Sequence, residues 1–183
     1  SRVSPCSTFK IPLALMAADA GVITAPHDPL LPYRSEYLAV IPSHKADTDP
    51  ATWLQNSVVW YSQQLTPRVG EDAFARYVDL FGYGNKDVSG DPGKHNGLTQ
   101  SWLGSSIAIS PDEQVTFLRN LRVRAFSLKP SAYLLTEKIV PVFNAEGGWI
   151  VHGKTGSGFQ RNAAGENDEH RKLGWFVGWA EKD

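Results

Sequence analysis

Residues 7–21 read STFKIPLALMAADAG: a small hydroxyl-bearing start, an apolar run and a closing glycine. Leu13, Ala14, Met16 and Ala17 supply an apolar face that predicts a helix over Ser7–Ala20, stopped by Gly21. Pro12 sits inside it and lacks the amide that would bond back to Thr8, so an irregular or tight first turn is expected. Ser7 and Lys10 then fall on one face, one turn apart, where unpaired helix amides create a positive field. A serine is a poor nucleophile until a neighbouring base takes its proton, and Lys10 is placed to do that. The spacing alone is weak. With 15 serines and 9 lysines in the chain, about 0.7 such pairs arise by chance, and on the spacing alone a helix-start serine with a solvated lysine is the better explanation.

Working outward, prolines at 26, 29, 32, 42 and 50 mark residues 24–50 as a long surface excursion. Asp49-Pro50 reads as an N-cap with proline at the first helical position, opening a helix through Trp53 and Leu54, with a break or second helix over Ser57–Leu65. Phe74, Tyr77, Val78 and Phe81 give residues 71–81 helical spacing. The glycine-rich stretch Gly82–Gly97 is a loop. Ser110-Pro111-Asp112-Glu113 is a capping box, with Val115, Leu118 and Leu121 as its buried stripe, and another helix covers Ser131–Val140. Two strands, Gly148–Thr155 and Leu173–Ala180, are joined by the polar segment Gln160–Lys172 as a hairpin with a long loop. The expectation is an α+β domain with a helical region packed on an antiparallel sheet that is incomplete in this piece.

Composition narrows the function classes. The chain has 183 residues, 42% of them hydrophobic, and a net charge of -1. That length buries roughly 70% of the unfolded chain's surface, enough for one core over 1–183, and the charge offers polyanions such as nucleic acid nothing general. Cys6 is the only cysteine, which excludes an internal disulfide framework, and it reads as a small buried residue beside Ser7. The five histidines, at 27, 44, 95, 152 and 170, show no ligand spacing, so no metal site is expected. Apolar runs such as Ile11–Ala18 are far short of the ~18 residues of a membrane span. Residues 1–6 show neither an initiator Met nor a signal sequence.

Two further motifs are sharper than the first. Lys154-Thr155-Gly156, at the end of a strand and running into Gly158, is expected only about 0.04 times by chance, and a strand edge of small residues lets an extended substrate lie alongside. Tyr83-Gly84-Asn85 is expected about 0.02 times. Taken singly, each is also an ordinary turn.

In order, Ser7-Thr8-Phe9-Lys10, Ser57-Val58-Val59, Tyr83-Gly84-Asn85, Trp102-Leu103, Lys154-Thr155-Gly156 and Gly174-Trp175-Phe176-Val177-Gly178-Trp179 resemble the class D (oxacillinase-type) serine β-lactamases over essentially the whole chain. The resemblance implies a serine β-lactamase/transpeptidase-like fold and a set of roles. Ser7 attacks a β-lactam carbonyl. Lys10, in an apolar pocket, takes up carbon dioxide as a carbamate and serves as general base, with no other cofactor. Chemically this is sound, because burial lowers a lysine's pKa and only the neutral amine reacts with carbon dioxide. Trp102 holds the carbamate through its indole N–H, while Val59 and Leu103 keep the pocket dry. Ser57 relays a proton to the leaving nitrogen beside Lys154. Thr155 faces the substrate carboxylate on the Lys154-Thr155-Gly156 strand, and the amides of Ser7 and Ser157 form the oxyanion hole. Tyr83 and Asn85 are wall and scaffold residues of the substrate site. For Trp102, core packing alone is an equal explanation.

Penicillin-binding transpeptidases and β-lactam sensor domains share the first and last motifs. Their middle motif is usually Ser-x-Asn, however, and position 59 is Val here. Those proteins stay acylated, whereas a lactamase regenerates its serine. The resemblance also implies a periplasmic or secreted location. It implies segments on both sides of this chain too, including a carboxylate-binding arginine past Asp183, so the chain reads as an internal piece expected to turn over β-lactams poorly alone. The sequence does not fix substrate spectrum or oligomeric state.

Overall fold

Pro12 shapes the first helix much as its chemistry requires. In the computed structural model, which describes residues 1–162 and 164–182, Cys6–Phe9 form a tight 3-10 turn and only then does α1 run over Lys10–Asp19. Pro12 is thereby the third residue of α1, where an amide has no helical partner to lose. Every residue from Lys10 to Ala17 is buried. A helix apolar on all sides is a central one, and α1 packs against both later helices described below, at residues 59–69 and 130–139.

The excursion after α1 is held at few points. Leu31 and Thr48 pair through their backbones, and buried His44 joins the loop to Asn56 O at 2.9 Å. Asp49 caps α2 (Pro50–Asn56) in a full capping box with Thr52. Helices α3 (Val59–Val69) and α4 (Glu71–Leu80) follow, then the short α5 (Gly97–Gln100). Between them Gly84, at φ +55, lies so close to Ala108 that a Cβ there would sit 2.1 Å from its carbonyl oxygen. This close approach is the local reason for a glycine in Tyr83-Gly84-Asn85.

Ser110 and Glu113 form the expected capping box of α6 (Pro111–Arg122), but the buried stripe differs from the expectation. Val115 is 57% exposed, and the face turned inward is Gln114, Phe117, Leu118 and Leu121. These positions step by three, one and three residues, and a polar Gln at the first of them hid the register. α7 spans Pro130–Ile139.

The sheet is larger than expected. It has three antiparallel strands in sequence order, β1 (Val142–Ala145), β2 (Trp149–Arg161) and β3 (Asn167–Lys182). β1 was not anticipated, and all four of its residues are exposed. The segment expected to be a long loop over Gln160–Lys172 is mostly strand, with β2 running to Arg161 and β3 beginning at Asn167. Its outer rungs pair Phe159 with Lys172 and Gln160 with Asp168 across an irregularity. These rungs are solvated on both faces, so no apolar alternation marks them. Helices packed on a small antiparallel sheet is the architecture observed. Among the described residues, no helix is long and apolar enough to cross a membrane.

Candidate active site

The 3-10 turn puts Ser7 at the edge of the helical body and Lys10 in its interior. Cys6, just before Ser7, adopts the left-handed region at φ 50, unusual for a residue with a Cβ, which makes the approach to Ser7 a sharp corner. Lys10 Nζ lies 2.9 Å from Ser7 Oγ. Lys10 is 0% exposed, and burial pushes its pKa down from 10.5 to about 7, helped by the nearby Lys154 charge. An amine so placed is available in its neutral form near pH 7 and can take the serine's proton.

The surround is apolar. Phe9 stacks on Trp102 at 5.3 Å between ring centroids, and Val59 and Leu103 line the cleft that Ser7 faces. Trp102 is fully buried, yet its indole Nε1 has no hydrogen-bond partner among the described residues. A buried donor left unpaired costs about 1–3 kcal/mol, so an acceptor belongs there. A buried lysine amine of lowered pKa, in a turn whose Phe9 stacks on Trp102, and an indole N–H unpaired among the described residues are features that a carbamate on Lys10 would fit.

The opposite wall is β2. Gly156 lies against the nucleophile turn, where an added Cβ would stand 3.0 Å from Pro5 O and 3.1 Å from Thr8 N. At Gly158 it would stand 2.6 Å from Cys6 Sγ. Glycine at these two places lets the strand rest directly on the turn. Lys154 is buried, 3% exposed, with its pKa lowered to about 8 by burial, and it donates to Thr155 O at 3.1 Å. Thr155 and Ser157 point to solvent. Ser7 and Ser157 both line a cleft of about 140 Å³ whose other walls include Val59, Leu103, Gly158 and Phe159. Ser57 is half-buried in a left-handed turn, φ 58 and ψ 40, at the end of α2, two residues before Val59. A larger groove of about 730 Å³, lined by Asp19, Arg76, Tyr77 and Leu80, has no lysine among its lining residues to pair with a serine.

Two residues expected in the substrate site lie elsewhere. Tyr83 is 0% exposed, packed edge-on against Phe9 at 5.4 Å, with its hydroxyl donating to Gln114 Oε1 at 3.2 Å. It supports the nucleophile turn from behind and presents no surface to a ligand. Asn85 ties two loops together, donating to Ser106 O at 2.8 Å and accepting from Ala108 N at 3.0 Å. Trp102 also lies beneath the cleft, with no exposed surface of its own. Conversely, sequence reasoning missed Gln114, whose Nε2 donates to Thr8 Oγ1 at 2.9 Å while that hydroxyl donates to Pro5 O at 2.6 Å. Its clue was available: a polar residue at the start of the apolar stripe 114, 117, 118, 121. Phe159 and Gly104 were missed as cleft residues for want of any motif.

A buried lysine beside a serine at a helix start, facing a Lys-Thr-Gly strand, defines a serine acyl-transfer protein of the penicillin-recognising kind. The model of the penicillin binding protein transpeptidase domain matches residues 1–183. The chain is 50% identical over 186 residues to "Beta-lactamase OXA-9" of Klebsiella pneumoniae, covering 100% of this chain and 67% of that protein. Among solved structures, the OXA-427 class D β-lactamase superposes with a TM-score of 0.94 at 46% identity, over 100% of this chain and 75% of that one. The C-terminal domain of the Bacillus licheniformis BlaR penicillin-receptor superposes at 0.82 with 28% identity, over 100% and 67%. The chain belongs to the class D β-lactamases, within the transpeptidase-domain family.

Proposed function

We propose that Ser7 opens β-lactams and that the resulting ester is hydrolysed with Lys10 as the seat of the general base. The observation that carries this reading is a fully buried amine, low in pKa, 2.9 Å from the serine oxygen. In the first half-reaction, Ser7 Oγ bonds to the lactam carbonyl carbon, the C–N bond of the ring breaks, and the serine proton ends on the released nitrogen. In the second, water adds to the ester carbonyl and Ser7 leaves with a proton restored. Ser57 passes the proton to the nitrogen, and Lys154 supplies the positive charge beside it. Thr155, exposed on β2, meets the substrate carboxylate. The amides of Ser7 and Ser157, which share the cleft, stabilise the oxyanion, each worth about 3–4 kcal/mol. A carbamate on Lys10 would supply an anionic base there, and Trp102 Nε1 is the donor that would hold it. Val59, Leu103 and Phe9 exclude water from the amine. The same reading takes residues 1–183 as part of one β-lactamase/transpeptidase-like domain acting in the periplasm or outside the cell, where β-lactams meet their targets.

Mass spectrometry of the full protein incubated with a penicillin tests this. The expected result is an adduct on Ser7 that clears as free hydrolysed penicillin accumulates. An adduct that persists makes the protein a sensor or transpeptidase instead, as the shared fold with the BlaR domain allows. Penicillin left intact, with no adduct on Ser7, overturns the reading altogether.

A further inference from the structure

Ser4 belongs to none of the motifs, yet it is bonded to three segments around the site, at Cys6, at Trp102 and Gly104, and at Trp175. Its hydroxyl donates to Trp102 O at 2.9 Å and accepts from the amide of Gly104 at 2.9 Å and, more weakly, from that of Cys6 at 3.3 Å. Its carbonyl accepts from Trp175 Nε1, on β3, at 2.9 Å. One small residue therefore joins the corner before the nucleophile, the 102–104 turn and the sheet. The 102–104 turn bears both Leu103, a cleft wall, and Trp102, with its unpaired indole N–H. It passes through Gly104 at φ +76, and the two groups Ser4 binds flank Leu103 on either side. A half-buried hydroxyl that satisfies two backbone groups at once ties a turn in place with two hydrogen bonds, each worth about 1 kcal/mol.

We propose that Ser4 is a positioning residue that sets the Trp102 indole and Leu103 against the Ser7–Lys10 turn, so that the Lys10 base is formed and retained. This rests on Lys10 being the base. A residue that merely glued the fold together would affect melting and leave the chemistry alone, so the two roles separate experimentally.

The test uses the full protein with Ser4→Ala and Ser4→Thr, the latter keeping the hydroxyl. Two quantities are read: the Lys10 carbamate carbon signal by NMR as carbon-13 bicarbonate is titrated, and the deacylation rate constant by mass spectrometry. Ser4→Ala is expected to need about tenfold more bicarbonate for half-loading and to slow deacylation by a similar factor, acylation being less affected, with Ser4→Thr near wild type. Should Ser4→Ala fail to fold, Trp175→Phe removes the bond to the Ser4 carbonyl and keeps the ring, with a smaller shift of about threefold expected. Wild-type loading and deacylation in the folded variant, whatever its melting temperature, overturn the proposal. If wild type itself shows no carbamate signal, the carbamate reading has failed separately. Ser4 is then judged by deacylation alone: slowing rescued by Thr supports it, and an unchanged rate overturns it.

Discussion

The helix start that carries Lys10 and the strand that carries Lys154 each bury a lysine, by opposite means. Lys10 is enclosed by side chains of the central helix and its aromatic neighbours, and its amine has the Ser7 hydroxyl 2.9 Å away. Lys154 lies between strand and body, and its amine donates to a main-chain carbonyl and, at 3.4 Å, to the Thr155 hydroxyl. Carbonyl oxygens favour the ammonium form, whereas an apolar wall favours the neutral one. Burial takes Lys154 to about 8, and burial together with the neighbouring Lys154 charge takes Lys10 to about 7. The charge of the strand lysine adds to burial in lowering the pKa of Lys10, so both amines move the same way, Lys10 further than Lys154.

The largest effect expected from breaking this asymmetry is on the base. Lys10→Ala should slow deacylation about 10²–10⁴-fold, the usual worth of a positioned general base, so that the Ser7 adduct accumulates and is seen by mass spectrometry. Deacylation at the wild-type rate would remove Lys10 from the base role while leaving Lys154 where it is.

A smaller effect sharpens the comparison from the other wall. Lys154→Met deletes a positive charge that lowers the Lys10 pKa. Without it Lys10 holds its proton more firmly, so its pKa rises and less of the neutral amine is present at pH 7. The acid limb of the deacylation pH profile is therefore expected to move to higher pH. The move is modest, because burial is the larger cause and remains. A limb that stays put would show that the two lysines titrate independently, and one that moves to lower pH would show that the Lys154 charge does not lower the Lys10 pKa.

How much of this was legible in the sequence depends on where the signal sits. Helix starts announce themselves locally: Asp49-Pro50 and Ser110-Pro111 carry their caps within four residues, and both boxes are present. The Ser7–Lys10 pair was legible as spacing, but the complete burial of the amine was not, because it depends on α1 packing against helices distant in sequence. The distal rungs of β2 and β3 were unreadable because strand there is held by backbone pairing alone, with polar side chains on both faces. Val115 and Gln114 were exchanged for a related reason: apolar character was taken as burial, while Gln114 is buried because Thr8 and Tyr83 give its amide both partners.

Tyr83, expected as a wall and scaffold residue of the substrate site, has no exposed surface and braces the nucleophile turn from behind, and a single oxygen tests that placement. Its ring packs against Phe9 and its hydroxyl ends a chain running through Gln114 to Thr8 and Pro5, the residues that flank Cys6 and Ser7. Burial pushes its pKa well above 10, so the group stays protonated and serves as a donor. Tyr83→Phe keeps the ring and deletes that donor, leaving Gln114 Oε1 without it in a dry interior. The expected cost is about 1 kcal/mol of stability, seen as a small fall in melting temperature, with KM for a penicillin unchanged. A substrate-contacting tyrosine would behave in reverse, with KM raised and melting untouched. That outcome would return Tyr83 to the cleft and undo the division between the residues that meet the ligand and those that brace the turn beneath it.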